Sequence, residues 1–173
     1  MAGSEHIIRP GTERDPDCLA LATKQGTAIP NRRALENPPV VLRAAIEMMA
    51  TQHPDARLRS ISSTYNCTGM VLASRRTTID PKELDWILKE DGYVGRDRSE
   101  VEVGDIVVYR SQPDGEPRHV AFVVAKKINR ATGEIELECL SKWGDGGEYF
   151  HSETYLPTVY GSHREFYSER KTA

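Results

Sequence analysis

Asn66-Cys67-Thr68-Gly69-Met70-Val71 is the stretch that decides the fold, because a cysteine stands where a polar loop turns into a helix. Asn66 is a residue type that tolerates a strained turn, and Gly69 lets the helix pack close to another element. The beginning of a helix favours a thiolate over a thiol. This stretch therefore predicts a helix over 68–74 with a nucleophile, Cys67, at its start.

A histidine on a later strand supplies the second part of a thiol nucleophile. Gly104-Asp105-Ile106-Val107-Val108-Tyr109 is followed by Arg118-His119-Val120-Ala121-Phe122-Val123-Val124, and an imidazole near Cys67 would accept the thiol proton and later return it. Each residue alone has an ordinary explanation. Most unpaired cysteines are small buried hydrophobes, and a single histidine at a sheet edge is usually solvated. The combination in this order predicts Cys67 as nucleophile and His119 as base.

These motifs resemble those of the NlpC/P60 family of papain-like cysteine peptidases and amidases, which read roughly Asp-Cys-Ser-Gly-Leu-Val, Gly-Asp-Leu-Val-Phe and Ser-His-Val-Gly-Ile-Tyr. The resemblance covers about residues 64–126 well and the rest loosely, and Asn66 stands where the family usually has Asp. It implies an α+β, papain-like fold in which N-terminal helices, including the nucleophile helix, pack on an antiparallel β-meander or half-barrel. It also implies a cysteine hydrolase that cleaves an amide or peptide bond through a thioester acyl-enzyme without a cofactor.

A third polar group should orient the imidazole, and the resemblance points to the strand after His119. That strand ends in Cys139-Leu140-Ser141-Lys142-Trp143-Gly144, which is similar to the Asn-Ser-Trp-Gly segment of papain-type enzymes, with Ser141 in place of the Asn. Ser141 is therefore the first choice for the third catalytic residue. Trp143 would shield its hydrogen bond from water, or it is an ordinary core aromatic. Two alternatives for the third residue remain: His151 and Glu138.

Residues around the nucleophile predict an oxyanion hole and a pocket. The backbone N–H groups of Cys67 and Thr68 would point at a reacting carbonyl, and Asn66 belongs to the same turn. Tyr65 lines the pocket or packs. Two arginines that follow the helix, Arg75 and Arg76, either complement its C-terminus or bind a substrate carboxylate. The Tyr-x-Trp-Gly-Gly-like stretch that the family often carries before its cysteine is absent, which argues against a cell-wall peptide as the substrate. The expected substrate is therefore a peptide or amide whose identity the sequence does not indicate.

The whole chain, residues 1–173, is predicted to be one domain. Residues 1–38 form an extension or strap with a helical turn at 19–21, residues 39–92 form the helical part, and residues 93–165 form the sheet part. An amphipathic helix over 40–52 is expected to bury one stripe: Val41, Leu42, Ala45, Met48 and Met49. A capping box at Asp80-Pro81-Lys82-Glu83 begins a helix that runs to about Glu90. Residues 58–65 are interpreted as a polar segment that leads to Cys67. Strands are predicted after the helices, at 106–110, 119–126, 134–141 and 149–151.

Composition argues against several classes of function. The formal net charge of −3 leaves no general basic field to hold nucleic acid or an anionic membrane. The three cysteines, Cys18, Cys67 and Cys139, form no CxxC pair, which argues against a disulfide scaffold or a zinc site. Motifs for a nucleotide loop or a metalloprotease are missing, so neither a cofactor nor a metal is expected. The first ten residues hold no apolar signal core, so a cytoplasmic protein is expected, with signal-independent secretion left open.

Two further functions remain open at this point. One is a binding or immunity-type module that keeps the fold without hydrolysis, motivated by the neutral, short Ser141 and the absent aromatic stretch. The other is an amidase that is delivered into other cells as an effector, which no residue distinguishes from a housekeeping enzyme. The sequence indicates no oligomeric state.

Overall fold

The computed structural model describes residues 17–113, 115–144 and 146–170, and every structural statement concerns this part of the chain. It contains three α-helices in its first half, with one strand among them, and six further strands after them, and it is an α+β fold, as predicted. The elements are α1 (Pro39–Gln52), β1 (Arg57–Ile61), α2 (Cys67–Leu72), α3 (Leu84–Asp91), β2 (Val94–Arg96), β3 (Ile106–Arg110), β4 (Pro117–Ile128), β5 (Ile135–Trp143), β6 (Gly147–Ser152) and β7 (His163–Ser168).

The seven strands form a single sheet in the order β1-β6-β5-β4-β3-β7-β2, and all neighbours are antiparallel. The central run β3 to β6 is the predicted meander. Three strands were not predicted: β1, which lies in the segment read as a polar approach, and β2 and β7 at the other edge. Each of these pairs with a strand far away in sequence, so local alternation does not indicate it.

The two faces of the sheet carry different layers. We call "helix face" the side on which Ile106, Val108 and Val120 pack with α2 and α3. We call "loop face" the side that carries Val107, Tyr109, Ala121, Val123 and Cys139, which pack with Val101 and Leu156 from loops. Because successive strand residues point to opposite sides, neighbouring residues of β4 belong to different layers.

The start and end signals of α3 are largely as predicted. The Asp80 side chain accepts a hydrogen bond from the Lys82 N–H at 3.0 Å, a 3-10 turn covers Pro81–Glu83, and Gly92 closes the helix with φ of 78°. The predicted capping box does not form, because the Glu83 carboxylate accepts from the Trp86 indole at 2.5 Å instead.

The bounds predicted for α1 are correct to one residue, but its predicted buried stripe is wrong. No residue of α1 is buried, and Val41 and Met48 are each 47% exposed. Ala45 approaches Gly146 beside β6, so α1 lies at the sheet edge rather than over a core. No helix in the described residues is long and apolar enough to cross a membrane.

The described part of the predicted extension, residues 17–38, runs against the helical part without a helical turn at 19–21. Isolated bridges join Ala22 to Ala28 and Arg32 to Thr78, and the second bridge ties the extension to the segment after α2. The first 16 residues of the predicted extension lie outside the described residues.

Candidate active site

Cys67 is the first residue of α2, and Asn66 fixes the start of that helix. The Asn66 Oδ1 atom accepts the N–H groups of Gly69 at 2.9 Å and Ile79 at 3.1 Å, and its Nδ2 donates to the Ile79 carbonyl at 2.6 Å. Its backbone is extended, with φ −106° and ψ −174°, so the predicted strained turn is absent. Asn66 is an N-cap that also anchors the segment after α2.

The Cys67 sulfur is buried in the aliphatic layer on the helix face, where the residue packs with Leu84, Leu88 and Val120. The Thr68 hydroxyl lies 3.9 Å from the sulfur. Burial raises the pKa of the thiol, and the nearby N–H groups of Val120 and Thr68 lower it by less. The thiol is therefore favoured over the expected thiolate, because desolvation outweighs the hydrogen-bond donors at the start of α2.

His119 is fully buried on the loop face. It lies opposite Tyr109 in the β3–β4 register, and its ring stacks on the ring of Tyr160 with centroids 4.0 Å apart and planes at 18°. Neither ring nitrogen has a hydrogen-bond partner in the described residues. Burial, and repulsion from His151 second, hold the pKa of His119 well below its ordinary value, so the ring is neutral.

The structure brings Cys67 and His119 to the same point along β4 but not into a hydrogen bond. The sulfur lies near the N–H of Val120, and that peptide group begins at the carbonyl carbon of His119. The imidazole extends from the loop face, whereas the sulfur packs with residues of the helix face. The predicted proton transfer cannot occur in this arrangement, because successive strand residues point to opposite sides of the sheet and rotation of the side chain does not carry the ring across it.

Ser141 was predicted to orient His119, but in the structure its hydroxyl meets a different histidine, His151. Its hydroxyl lies 2.8 Å from His151 Nε2 and accepts from the Trp143 indole N–H at 2.9 Å. His151 Nδ1 lies 2.8 Å from the Ser152 carbonyl, which can only accept, so Nδ1 carries the proton and Nε2 accepts from Ser141. Ser141, Trp143 and His151 therefore form a closed chain of their own.

Glu138, the other alternative, also lies away from His119. It precedes Cys139 by one residue and so points to the opposite side of β5. Its carboxylate pairs with Arg57 at 3.0 Å, and both side chains are at least a third exposed. It cannot orient the buried imidazole in this arrangement.

Tyr65 and Arg75 were predicted to meet the substrate, but in the structure both bind a buried carboxylate, that of Glu148. It accepts from Tyr65 at 2.7 Å, from Arg59 at 2.6 Å and from two nitrogens of Arg75. Burial opposes its charge, but these donors, led by Arg75, keep the pKa of Glu148 below its ordinary value. The Tyr65 hydroxyl and the Arg75 guanidinium are therefore occupied by Glu148, although the Arg75 side chain is 36% exposed. Arg75 reaches Glu148 from a backbone with φ of 66°, a conformation that carries strain.

Arg76 donates to the Ala73 carbonyl at 3.2 Å, which fits the helix-end interpretation rather than substrate binding. The sequence analysis missed three residues of this region: Lys142, Glu148 and Tyr160. Lys142 is fully buried, donates to the Gly144 carbonyl at 2.6 Å, and faces Glu148 across β5 and β6. Two opposite charges inside adjoining strands were the available signal for Lys142 and Glu148; Tyr160 gave none.

The described residues hold no cluster of three or more His, Cys, Asp or Glu side chains that could bind a metal ion. Comparisons of the chain with protein-family models, with curated proteins and with solved structures return no match. Function must therefore follow from the residues and geometry of the chain itself.

Because two imidazoles are buried and have lowered pKa values, we expect acid to destabilise the fold. Burial lowers the pKa of His151 from 6.5 to about 4, and that of His119 falls well below 6.5. Both rings are neutral when folded but bind protons near pH 6.5 when unfolded, so their stabilisation is complete above pH 6.5 and is lost as the pH falls toward the folded values. Urea unfolding at pH 5 should give a free energy of unfolding lower than at pH 7.5 by roughly 2 kcal/mol from His151 alone, with a further loss from His119.

The matched control is His151→Gln, which keeps a hydrogen-bonding group but does not titrate. Between pH 7.5 and pH 5, the free energy of unfolding of this variant should fall by roughly 2 kcal/mol less than that of the parent chain. An unchanged pH dependence in this variant would show that the His151 ring is not held neutral.

Proposed function

We propose that the chain is a cysteine hydrolase of the NlpC/P60, papain-like type, which cleaves an amide or peptide bond through a thioester on Cys67. One observation carries the proposal: the His119 imidazole is fully buried with neither nitrogen partnered in the described residues, at the point of β4 where the Cys67 sulfur lies. A buried polar group without a partner costs about 1–3 kcal/mol. Such a cost is expected where a group is kept ready for a reacting proton.

The arrangement of elements supports the papain-like part of the proposal. A short helix that begins with the nucleophile packs on one face of an antiparallel sheet, and the histidine stands near the start of the strand beneath it. A meander from β3 to β6 follows. These are the features that the sequence resemblance implies.

In the proposed reaction, the Cys67 sulfur bonds to the carbonyl carbon while His119 takes the thiol proton. The tetrahedral intermediate collapses, the carbon–nitrogen bond breaks, and the amine leaves with that proton. Water then attacks the thioester with His119 as base, which releases the acid and restores the thiol. The N–H groups of Val120 and Thr68 lie near the sulfur and are the candidates for stabilising the oxyanion.

The described conformation is the closed form of this enzyme in our proposal. Tyr160 stacks on His119, and its hydroxyl accepts the Gly144 N–H at 2.8 Å. Tyr160 must withdraw, and the backbone at the start of β4, where the β3–β4 register shifts beside His119, must rearrange, before the imidazole can reach the sulfur. The thiol with a raised pKa and the neutral imidazole are then a protected resting pair.

A second candidate function, a non-hydrolytic binding or immunity-type module, is favoured by one specific observation. The Cys67 sulfur is packed among aliphatic side chains and its pKa is raised, which is the ordinary state of a structural cysteine. In that function Cys67 is a core residue, and the stack of His119 on Tyr160 is part of the packing of the loop face.

Acetylation by p-nitrophenyl acetate, a generic acyl donor, distinguishes the two functions. In a Cys18→Ser background, which removes the exposed thiol, we expect an acetyl group on Cys67 that is lost again to water, and faster transfer after Tyr160→Ala opens the site. Peptide mass spectrometry after rapid acid quenching locates the acetyl group. The other buried thiol, Cys139, is an internal reference, because its pKa is raised to about 12, chiefly by burial.

The Cys67→Ala variant should show only the slow acetylation of Cys139 and the background release of p-nitrophenol. If Cys67 and Cys139 are acetylated equally slowly, with or without Tyr160, the hydrolase proposal fails and the binding module is favoured.

A further inference from the structure

A second candidate site lies on the loop face at the opposite edge of the sheet, between β2 and β7. An open cavity of about 790 Å³ is lined there by residues of 95–100 and 162–167, which is within the usual size range of small-molecule sites. A neighbouring cavity of about 420 Å³ shares Ser162 and Arg164 with it and continues to Thr158 and Gly161.

Two arginines on this face have guanidinium groups that are only partly hydrogen-bonded. Arg96 lies opposite Phe166 in the β2–β7 register, and Arg164 lies two residues before Phe166, so all three share the loop face. Diagonal neighbours of this kind are about 7–8 Å apart, which is within the reach of two arginine side chains toward one ligand. The Nε of Arg96 and the Nη1 of Arg164 are buried and have no hydrogen-bond partner in the described residues.

A buried acidic residue close to Arg164, Glu153, does not satisfy it, and the Oε2 atom of that carboxylate is itself without a hydrogen-bond partner in the described residues. The Glu153 Oε1 atom accepts from Arg98 at 2.6 Å, and Arg164 Nη1 remains 3.8 Å from the same oxygen. One buried carboxylate is thus shared unequally between two arginines, while Arg96 Nη2 donates to the Arg170 carbonyl. Buried N–H groups of guanidinium are strong donors whose loss of water is costly unless an acceptor replaces it.

We propose that Arg96 and Arg164 bind the carboxylate of a small peptide-like ligand in this cavity. Both side chains line the cavity, the chain does not saturate their N–H groups with acceptors, and the planar guanidinium suits the two oxygens of a carboxylate. Two acidic residues, Asp97 and Glu100, line the same cavity, whereas the carboxylate of Glu165, which also borders it, is bound by Arg110 and Tyr167. The first two repel a phosphate dianion more than a carboxylate and offer partners for the amino group of a zwitterion. This site does not depend on catalysis by Cys67.

The test is a titration of the full chain followed by backbone amide NMR, with four defined probes: N-acetylglycine, glycylglycine, inorganic phosphate and the uncharged N-acetylglycinamide. We expect saturable shifts at residues 95–98 and 162–166 with the two carboxylate probes and none with N-acetylglycinamide. Arg96→Gln should weaken binding about tenfold or more, the effect of a lost charged hydrogen bond. Arg130→Gln, which removes the same charge from an exposed turn, should leave binding unchanged.

Arg164→Gln should weaken binding similarly, and Arg164→Lys replaces it if the first variant does not fold, because lysine keeps the charge but not the fork. Tighter binding of phosphate than of N-acetylglycine would overturn the assignment to carboxylates. The site itself is refuted if no probe gives saturable shifts, if N-acetylglycinamide binds as well as N-acetylglycine, or if Arg96→Gln behaves like Arg130→Gln.

Discussion

Replacing Gly69 with alanine is expected to lower the free energy of unfolding by at least about 3 kcal/mol. A methyl carbon added at Gly69 would lie 1.7 Å from the carbonyl oxygen of Thr77 and 2.9 Å from its carbonyl carbon. The obstacle is backbone, so no side chain can rotate away. Thr77 is fully buried and its hydroxyl binds the Asn31 side chain at 3.0 Å. The clash can be relieved only by moving α2 away from the segment that follows it.

Urea unfolding followed by circular dichroism measures this effect, and Gly95→Ala is the matched control. Gly95 lies in β2, has no atom within 4 Å of an added methyl carbon, and has no positive φ, so its substitution should change stability by no more than about 0.5 kcal/mol. Equal stability of the two variants would mean that α2 does not pack on Thr77, and the assigned position of Cys67 would be lost with that contact.

The prediction of a close approach at Gly69 came from its place in the motif, and the structure confirms it. The same local reasoning succeeded for α3, where Asp80, Pro81 and Gly92 each act through their own backbone or a neighbour. Signals of this kind involve a few consecutive residues, so a single sequence contains them. The meander from β3 to β6 was predictable for the same reason, because its strands pair with their neighbours in sequence.

The missed strands follow the opposite rule. β1 pairs with β6, and β7 is inserted between β3 and β2. Their partners lie many residues away, and the side chains of β1 are largely exposed, so no strong hydrophobic alternation marks it. The pairing partner, rather than the segment itself, determines that these residues form strands.

The candidate site was predictable in position but not in side-chain direction. Motif order predicted Cys67 close to His119, yet the β3–β4 register puts the ring on the loop face, where it stacks on Tyr160 from a distant 3-10 turn. Ser141 was predicted to face His119, but the β5–β6 register puts Cys139 opposite His151, and Ser141 lies diagonally within reach of that ring. Cross-strand neighbours decide which hydroxyl meets which imidazole, and a single sequence does not contain the register.

Removal of the proposed base gives the second large effect. With p-nitrophenyl acetate, His119→Ala is expected to slow acetylation of Cys67 by at least about 100-fold, the lower end of the usual contribution of general acid–base catalysis. Because the Cys67 thiol has a raised pKa, little thiolate is present near neutral pH, and attack depends on a base that removes the proton. The measurement is the rate of acetyl transfer to the Cys67 peptide, in the Cys18→Ser, Tyr160→Ala background that opens the site.

Two comparisons separate catalysis from packing in the His119→Ala protein. Imidazole added to the solution should restore part of the rate, because a free base that enters the opened site can accept the thiol proton in place of the deleted ring. His151→Gln, which alters the buried histidine that binds Ser141, should keep most of the rate, since that ring contacts neither reacting atom. Acetylation that is as fast without His119 as with it, and insensitive to added imidazole, would mean that Cys67 reacts unaided and that His119 is only part of the aromatic layer.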